Sequence, residues 1–140
     1  MNNQEKIKGW TTIKQSKVLL KVGLDPNTAD MYYCAYITYA NGNPVKKPKY
    51  DLIAYPYKDR SSMVVGFTKV DYIPCWSLGA LSDLIPDKEP LLQKIEGTWT
   101  ATINRDEEHL DQFSDKTLIG TLYEAIKWLI ENNYIKKKGV

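Results

Sequence analysis

The chain is short of the residues that most often do chemistry. Among 140 residues there is one His, two Cys and only two Phe. A single His leaves little material for a Ser–His or Cys–His nucleophile pair, and no Gly-x-Ser-x-Gly elbow occurs. His109 sits among Asp106, Glu107, Glu108 and Asp111, which reads as a solvated acidic turn. Those carboxylates lack the spacing and central glycine of an EF-hand loop, so no metal is expected. Neither Gly-x-x-x-x-Gly-Lys nor Gly-x-Gly-x-x-Gly is present, which argues against a phosphate-loop nucleotidase or a dinucleotide-dependent dehydrogenase, and no cofactor is expected. Catalytic residues are therefore assigned to none of the positions. Hydrolysis of a nucleotide by a carboxylate pair stays open, because such pairs have no fixed spacing. Cys34 and Cys75 form no CxxC pattern and read as two reduced, buried thiols.

Long apolar runs are also missing, so no membrane span is expected. The first residues, Met-Asn-Asn-Gln-Glu-Lys, lack the apolar stretch of a signal peptide, which points to an intracellular chain. The length predicts one domain over 1–140 with loose ends at 1–9 and 136–140, needing neither disulfide nor metal to fold. Net charge is only +2, but it is unevenly spread. Residues 1–70 hold 11 basic and 5 acidic side chains, whereas residues 71–140 hold 8 and 12. Such asymmetry can mark a basic face for an anionic partner; alternatively the fold interleaves the halves and cancels it.

Tyr is abundant: ten, against two Phe and four Trp. A core needing only apolar filling would use Phe, so the bias suggests aromatic surfaces with one wet edge. Seven of the ten fall between 32 and 57, at Tyr32, Tyr33, Tyr36, Tyr39, Tyr50, Tyr55 and Tyr57. Lys46, Lys47, Lys49, Lys58 and Arg60 interleave or flank them.

Local patterns predict the elements. Thr12 with Gln15 forms a capping box for a helix over 12–22, stopped by Gly23, with Ile13, Val18, Leu20 and Leu24 as a rough stripe. Asp25-Pro26 starts a short helical turn ending near Met31. Residues 33–39 and 50–57 read as two strands of a long hairpin through Asn41-Gly42, a turn that Asn43-Pro44 lengthens. Met63–Thr68 is a short strand. Ser77 caps a short helix on which Leu78, Leu81, Leu84 and Ile85 share a face, stopped by Pro86. Leu91–Ile95 and Thr98–Ile103 flank Glu96-Gly97 as a second hairpin, and 109–113 is a third strand beside it. Trp99, Ala101 and Ile103 alternate with Thr98, Thr100 and Thr102, one face apolar and the other lined with hydroxyls. The clearest helix spans 117–132, capped by Asp115 or Thr117, with Leu118, Leu122, Ile126 and Leu129, joined by Ile119 and Ile130, in its stripe and Asn133 as a left-handed stop. Gly120 inside it suggests close packing. The fold class expected is α+β, an antiparallel sheet from two hairpins packed against the long C-terminal helix and one N-terminal helix.

The candidate ligand site is the aromatic, basic hairpin. Aromatic faces stack bases and cations meet phosphate. Tyr36, Tyr39, Tyr55 and Trp76 are the expected stacking rings, with Lys49, Lys58 and Arg60 on phosphate. Ser77, at a helix start whose free amides attract anions, completes the set. The plainer alternatives are a two-sided sheet using Tyr for packing with Lys guarding its edges, and an ordinary helix cap beside a core Trp76. Free sheet edges also lead to the expectation of a homo-oligomer.

Four segments carry a resemblance as a set: Trp10-Thr11-Thr12-Ile13-x-Gln15-Ser16, Gly23-Leu24-Asp25-Pro26-x-Thr28-Ala29-Asp30-Met31-Tyr32, Ile73-Pro74-Cys75-Trp76-Ser77-Leu78-Gly79-Ala80-Leu81 and Trp128-Leu129-Ile130-Glu131-Asn132-x-Tyr134-Ile135-Lys136. Their order resembles an uncharacterised family of small proteins from phages, prophages and mobile elements of gut Bacteroidales, over most of the chain outside about 40–70 and 87–115. Gly120 departs from the pattern, which has Glu or Ala there. The family brings no established activity, so the resemblance assigns no role to any residue. What it implies is a setting, the cytoplasm of a bacterial host, where small phage proteins interfere with defence by binding and some sequester nucleotide messengers. The expectation is thus a non-enzymatic, anti-defence binding protein for a small nucleotide-like anion. The alternative is a protein-interaction module that docks on a host protein through the same hairpin.

Overall fold

The computed structural model describes residues 9–139 except 46, 88 and 107. Of the start expected to be loose over 1–9, residues 1–8 lie outside the described residues, as do Lys46 of the basic arm and Glu107 of the acidic turn, while the Gly9 carbonyl accepts from the Leu78 amide at 3.0 Å.

The order of elements follows the local chemistry. Helix α1, Ile13–Val22, begins at the expected capping box: Thr12 Oγ1 accepts from the Gln15 amide at 3.0 Å, and Gln15 Oε1 accepts from the Thr12 amide at 2.9 Å. It ends where Gly23 turns left-handed at φ 110°. The stripe expected for this helix holds in part: Leu24 is buried and Leu20 packs against the core. Ser16 and Leu19 are its buried positions, and Val18 is half-exposed. A single 3-10 turn, Pro26–Thr28, is capped by Asp25.

Strand β1, Met31–Ala40, is the centre of the larger sheet. On one side it pairs with β2, Asn43–Pro44, and β3, Lys49–Ile53; on the other with β5, Thr68–Cys75, which in turn holds β4, Met63–Val65. All pairings are antiparallel. Asn41 and Gly42 take φ of 54° and 79°, the mirror-image turn that suits strand twist, so Asn43-Pro44 joins the ladder instead of lengthening the loop. Between β2 and β3 the register on β1 slips by two residues, from Tyr39↔Pro44 to Tyr36↔Lys49. The second strand of this hairpin stops at Ile53, short of the expected Tyr57. The stretch 68–75, not expected as a strand beyond Thr68, pairs with β1 along its whole length.

Helix α2, Leu78–Leu84, starts from the Ser77 cap. Strands β6, Leu91–Ile95, β7, Thr98–Asn104, and β8, Leu110–Asp115, form a second antiparallel sheet. Helix α3, Leu118–Glu131, follows the Thr117 cap and packs against β7 and β8 on one side and α2 and α1 on others. The α+β class holds, with antiparallel strands and the long C-terminal helix, and the strands divide between two sheets.

One buried cluster links the elements: Leu19 of α1, Trp76, Leu81 of α2, Ile103 of β7, and Ile119, Leu122, Ile126 and Leu129 of α3. Beside it lies a satisfied polar node. Thr11 Oγ1 is 2.7 Å from Ser16 Oγ and accepts from the Trp76 amide at 3.1 Å, while the Thr11 carbonyl accepts from the Tyr33 hydroxyl at 2.7 Å. The segments that carry the resemblance meet here. Trp76 Nε1 donates to Thr28 Oγ1 at 2.9 Å, the Ser77 amide donates to Asp30, and Trp10 bridges to Ser77. Both cysteines are buried thiols, not joined in a disulfide.

Gly120 is explained by its surroundings. A Cβ there would run into the Asp115 carboxylate and lie 2.8 Å from Thr117 Oγ1. Both groups build the helix start: Asp115 accepts from the Thr117 amide at 3.0 Å, and Thr117 Oγ1 accepts from the Gly120 amide at 3.0 Å. The far end of α3 turns at Asn133, φ 66°, and the Tyr134 amide donates back to the Leu129 carbonyl at 2.8 Å. The tail that follows is docked, correcting the loose end expected from residue 136. Ile135 packs on the core and the Lys138 amide donates to the Gly23 carbonyl at 2.8 Å.

Candidate functional site

Side chains alternate along a strand, so β1 sorts the hairpin tyrosines by parity. Tyr32, Cys34 and Tyr36 share one face of the sheet with Lys49, Asp51, Val70 and Tyr72, their register partners. Tyr33, Ala35, Ile37 and Tyr39 share the other with Tyr50 and Leu52. Four consecutive residues, Tyr32–Ala35, are buried, so both faces are covered at that end.

The first face is covered by the loop 54–62. Lys58 and Asp59 both adopt left-handed conformations, φ 44° and 51°, which is costly for residues with a Cβ. Neighbours hold the turn. Asn27 donates to Asp59 Oδ1 at 2.6 Å and accepts from the Asp59 amide at 2.8 Å, the Tyr57 amide donates to the Ala29 carbonyl at 3.2 Å, and the Tyr57 hydroxyl donates to the Arg60 carbonyl at 2.9 Å. The result sets the Arg60 guanidinium 4.0 Å over the Tyr32 ring and 5.7 Å from that of Tyr72, while the two rings meet edge to face. Arg60 Nε is dry and has no hydrogen-bond partner. Burial raises the Tyr57 phenol, and Cys34 first of all raises that of Tyr36.

Of the expected site residues, Tyr36, Lys49 and Arg60 therefore share this face. Lys58 shapes the turn that delivers Arg60, and Tyr55, 67% exposed, projects from the same loop. Tyr39 lies on the opposite face. Trp76 and Ser77 do not join any of them. Trp76 is 0% exposed with its indole N–H bonded, a core ring with no face free to stack. Ser77 Oγ accepts from the Ala80 amide and is hydrogen-bonded to Asp30, so a carboxylate of the chain itself already answers this helix start.

A concave site lies on the other face, where α1 ends its cover of the sheet. A groove of about 560 Å³ is lined by Ile13, Lys14, Lys17, Val18, Lys21 and Tyr50. Positions 14, 17, 18 and 21 fall on one stripe of the helix, opposite the buried Ser16 and Leu19. Lys14 to Lys21 spans roughly 10 Å along the axis at 1.5 Å per residue. Among the described residues no carboxylate stands within ion-pair distance of these three lysines; the ion pairs there are Lys69–Asp71, Arg105–Asp111, His109–Asp106 and Lys138–Asp25. The floor is apolar with one half-exposed tyrosine, and the rim is cationic. That combination suits an anion carrying a flat aromatic part. Of the seven hairpin tyrosines Tyr50 alone reaches this groove. In the sequence the three lysines look like the solvated face of an amphipathic helix, so no local signal sets them apart.

His109 Nδ1 lies 2.8 Å from Asp106, whose carboxyl is held below its ordinary value first by the Glu108 amide and then by His109. No group of three metal-ligating side chains and no helix long and apolar enough to cross a membrane occurs among the described residues. Against protein-family models, curated proteins and solved structures the chain finds no match, so the reading of the groove rests on its own geometry.

Proposed function

We propose that the protein is a small binding protein, of the kind phages deploy in a bacterial cytoplasm, that holds a nucleotide-like anion without altering it and so withdraws a defence signal. The observation that carries this reading is the groove between α1 and β3, where Lys14, Lys17 and Lys21, with no carboxylate partner among the described residues, stand around an apolar floor and Tyr50. A lysine not already held by a carboxylate has its donors available for an incoming phosphate, and a tyrosine face supplies stacking at low entropic cost. The volume is within the range of small-ligand sites. Arg60, Tyr36 and Lys49 lie across the sheet and do not enter this site.

A thermal-shift and calorimetric screen with nucleoside phosphates and cyclic dinucleotides tests it. The expected result is a raised melting temperature with at least one compound, recovered intact by mass spectrometry after denaturation. Tyr50→Ala and the pair Lys17→Glu with Lys21→Glu should each weaken binding at least about tenfold, or ~1.4 kcal/mol, and added salt should weaken it further. Recovery of an altered compound would make the protein an enzyme. No shift with any compound would turn the reading to the docking module, with Tyr55 and the loop around it as the contact.

A further inference from the structure

The two long edges of the larger sheet are built differently. On the β2–β3 edge, Pro44 and Pro48 remove donors, the register slips by two residues, and Lys47 and Lys49 add charge. Those are the devices by which sheets discourage a foreign strand. The β4 edge has none of them. Ser61–Thr68 contains no charged residue and no proline. Met63, Val64 and Val65 are all exposed, Val64 at 70%, and Phe67 in the adjoining turn is 81% exposed. The smaller sheet does not share this omission, since Lys94 and Glu96 mark one of its edges and Asp111 and Asp115 the other.

The backbone of β4 is also set for pairing. Val65↔Thr68 closes a two-residue turn at Gly66-Phe67, so Val65 and Met63 exchange bonds with β5 and the Val64 amide and carbonyl face outward. We infer that β4 pairs antiparallel with β4 of a second copy of this chain, on a two-fold axis at Val64. The occupant follows from charge and closure. An uncharged strand meets its own copy with no like-charge penalty, and in a two-fold contact each Val64 satisfies the other's donor and acceptor. Met63 and Val65 then meet their counterparts on one face of the joined sheet. Assembly stops at two subunits because the opposite edge is guarded. The groove at α1 lies toward that guarded edge, so dimerisation and ligand binding are separable.

Light scattering on the full chain at about 100 µM, where a micromolar dimer is filled, should give twice 16.1 kDa. Val64→Pro removes the outward donor and leaves the bonds of its neighbours to β5, and Val64→Lys restores a guard. Both variants should keep the wild-type circular dichroism and run as monomers. Val64→Cys should cross-link between copies on mild oxidation, because paired Cα atoms fall within disulfide range, whereas Leu91→Cys, also exposed, should not. A wild-type monomer at that concentration overturns the inference, as does a dimer that survives both Val64→Pro and Val64→Lys.

Discussion

The two sheets solve burial in opposite ways. In the smaller one the alternation is clean. Ala101 and Ile103 point inward at 0% exposure, while Thr100 and Thr102 meet Ser114 and Gln112 on the outside at 3.2 and 3.3 Å. One helix, α3, covers its inner face, and the outer face is finished with hydroxyls. The larger sheet buries residues of both parities in β1, so it needs two covers. It borrows α1 on one face and the Arg60 loop on the other. Neither cover spans the sheet. Where α1 stops, a basic groove opens, and where the covers run out the side chains of β4 are exposed among the described residues. A one-sided sheet makes a wall; a two-sided sheet with partial covers makes clefts and edges.

The largest effect that can break this comparison is in the cores. Ile103→Ala in the smaller sheet removes a fully buried side chain from the main cluster and should cost about 2–5 kcal/mol. Ile37→Ala in the larger sheet removes a side chain that is only partly buried and should cost less, about 1–2 kcal/mol. Denaturant melts measure both, and equal losses would mean that the outer part of β1 is as well packed as the small sheet.

Gly120→Ala comes next. On an exposed helix the change would gain about 1 kcal/mol from propensity. Here the new methyl meets the Asp115 carboxylate and Thr117 Oγ1, the groups that cap α3, so a net loss of about 1–3 kcal/mol is expected from overpacking. Combining it with Asp115→Ala should recover part of that loss, since the obstructing carboxylate is gone. A double mutant no better than the sum of the singles would refute the steric account.

Tyr33→Phe probes the covered face of the larger sheet. Loss of its bond to the Thr11 carbonyl should cost about 1 kcal/mol at neutral pH. Burial, with Cys75 adding to it, lifts the Tyr33 phenol well above its ordinary 10.0. The unfolded chain therefore releases this proton first, so stability should be intact below pH 10 and fall as pH rises from there toward the folded value. The variant should show a shallower decline over that window. An identical alkaline decline in both proteins would remove Tyr33 as its cause.

Much of the frame was legible in single residues. The caps at Thr12, Ser77 and Thr117 and the turns at Asn41-Gly42 and Glu96-Gly97 act through their immediate neighbours, so local patterns find them. Strand β5 was not legible past Thr68. Pro74 argues against a strand, and the Trp76-Ser77 helix start drew the preceding residues toward it. The hairpin site was half legible. Tyr36 and Tyr39 are three apart, and on a strand an odd separation sends side chains to opposite faces, a signal available without any structure. The Arg60 partners were not available, because Tyr72 lies twelve residues on, in a strand paired two removes away. The lysines of α1 were visible at 14, 17 and 21, but a stripe of cations on a helix looks the same whether it faces bulk water or Tyr50.

That last ambiguity sets the smallest stability effect and the sharpest functional one. Lys14→Gln, Lys17→Gln and Lys21→Gln each remove an exposed charge with no carboxylate partner among the described residues, so each should shift unfolding by no more than about 0.5 kcal/mol. If the three serve only as a solvated surface, the triple variant should match the wild type in every assay. If they serve the groove, it should unfold with the wild type and lose affinity for a nucleotide-like anion together with most of the salt dependence of binding, because both come from the same charges. Tyr55→Ala, in the loop on the other face, should leave that affinity untouched. A triple variant that binds as before, or a Tyr55→Ala variant that does not bind, would move the site from the α1 face of the larger sheet to the Arg60 face.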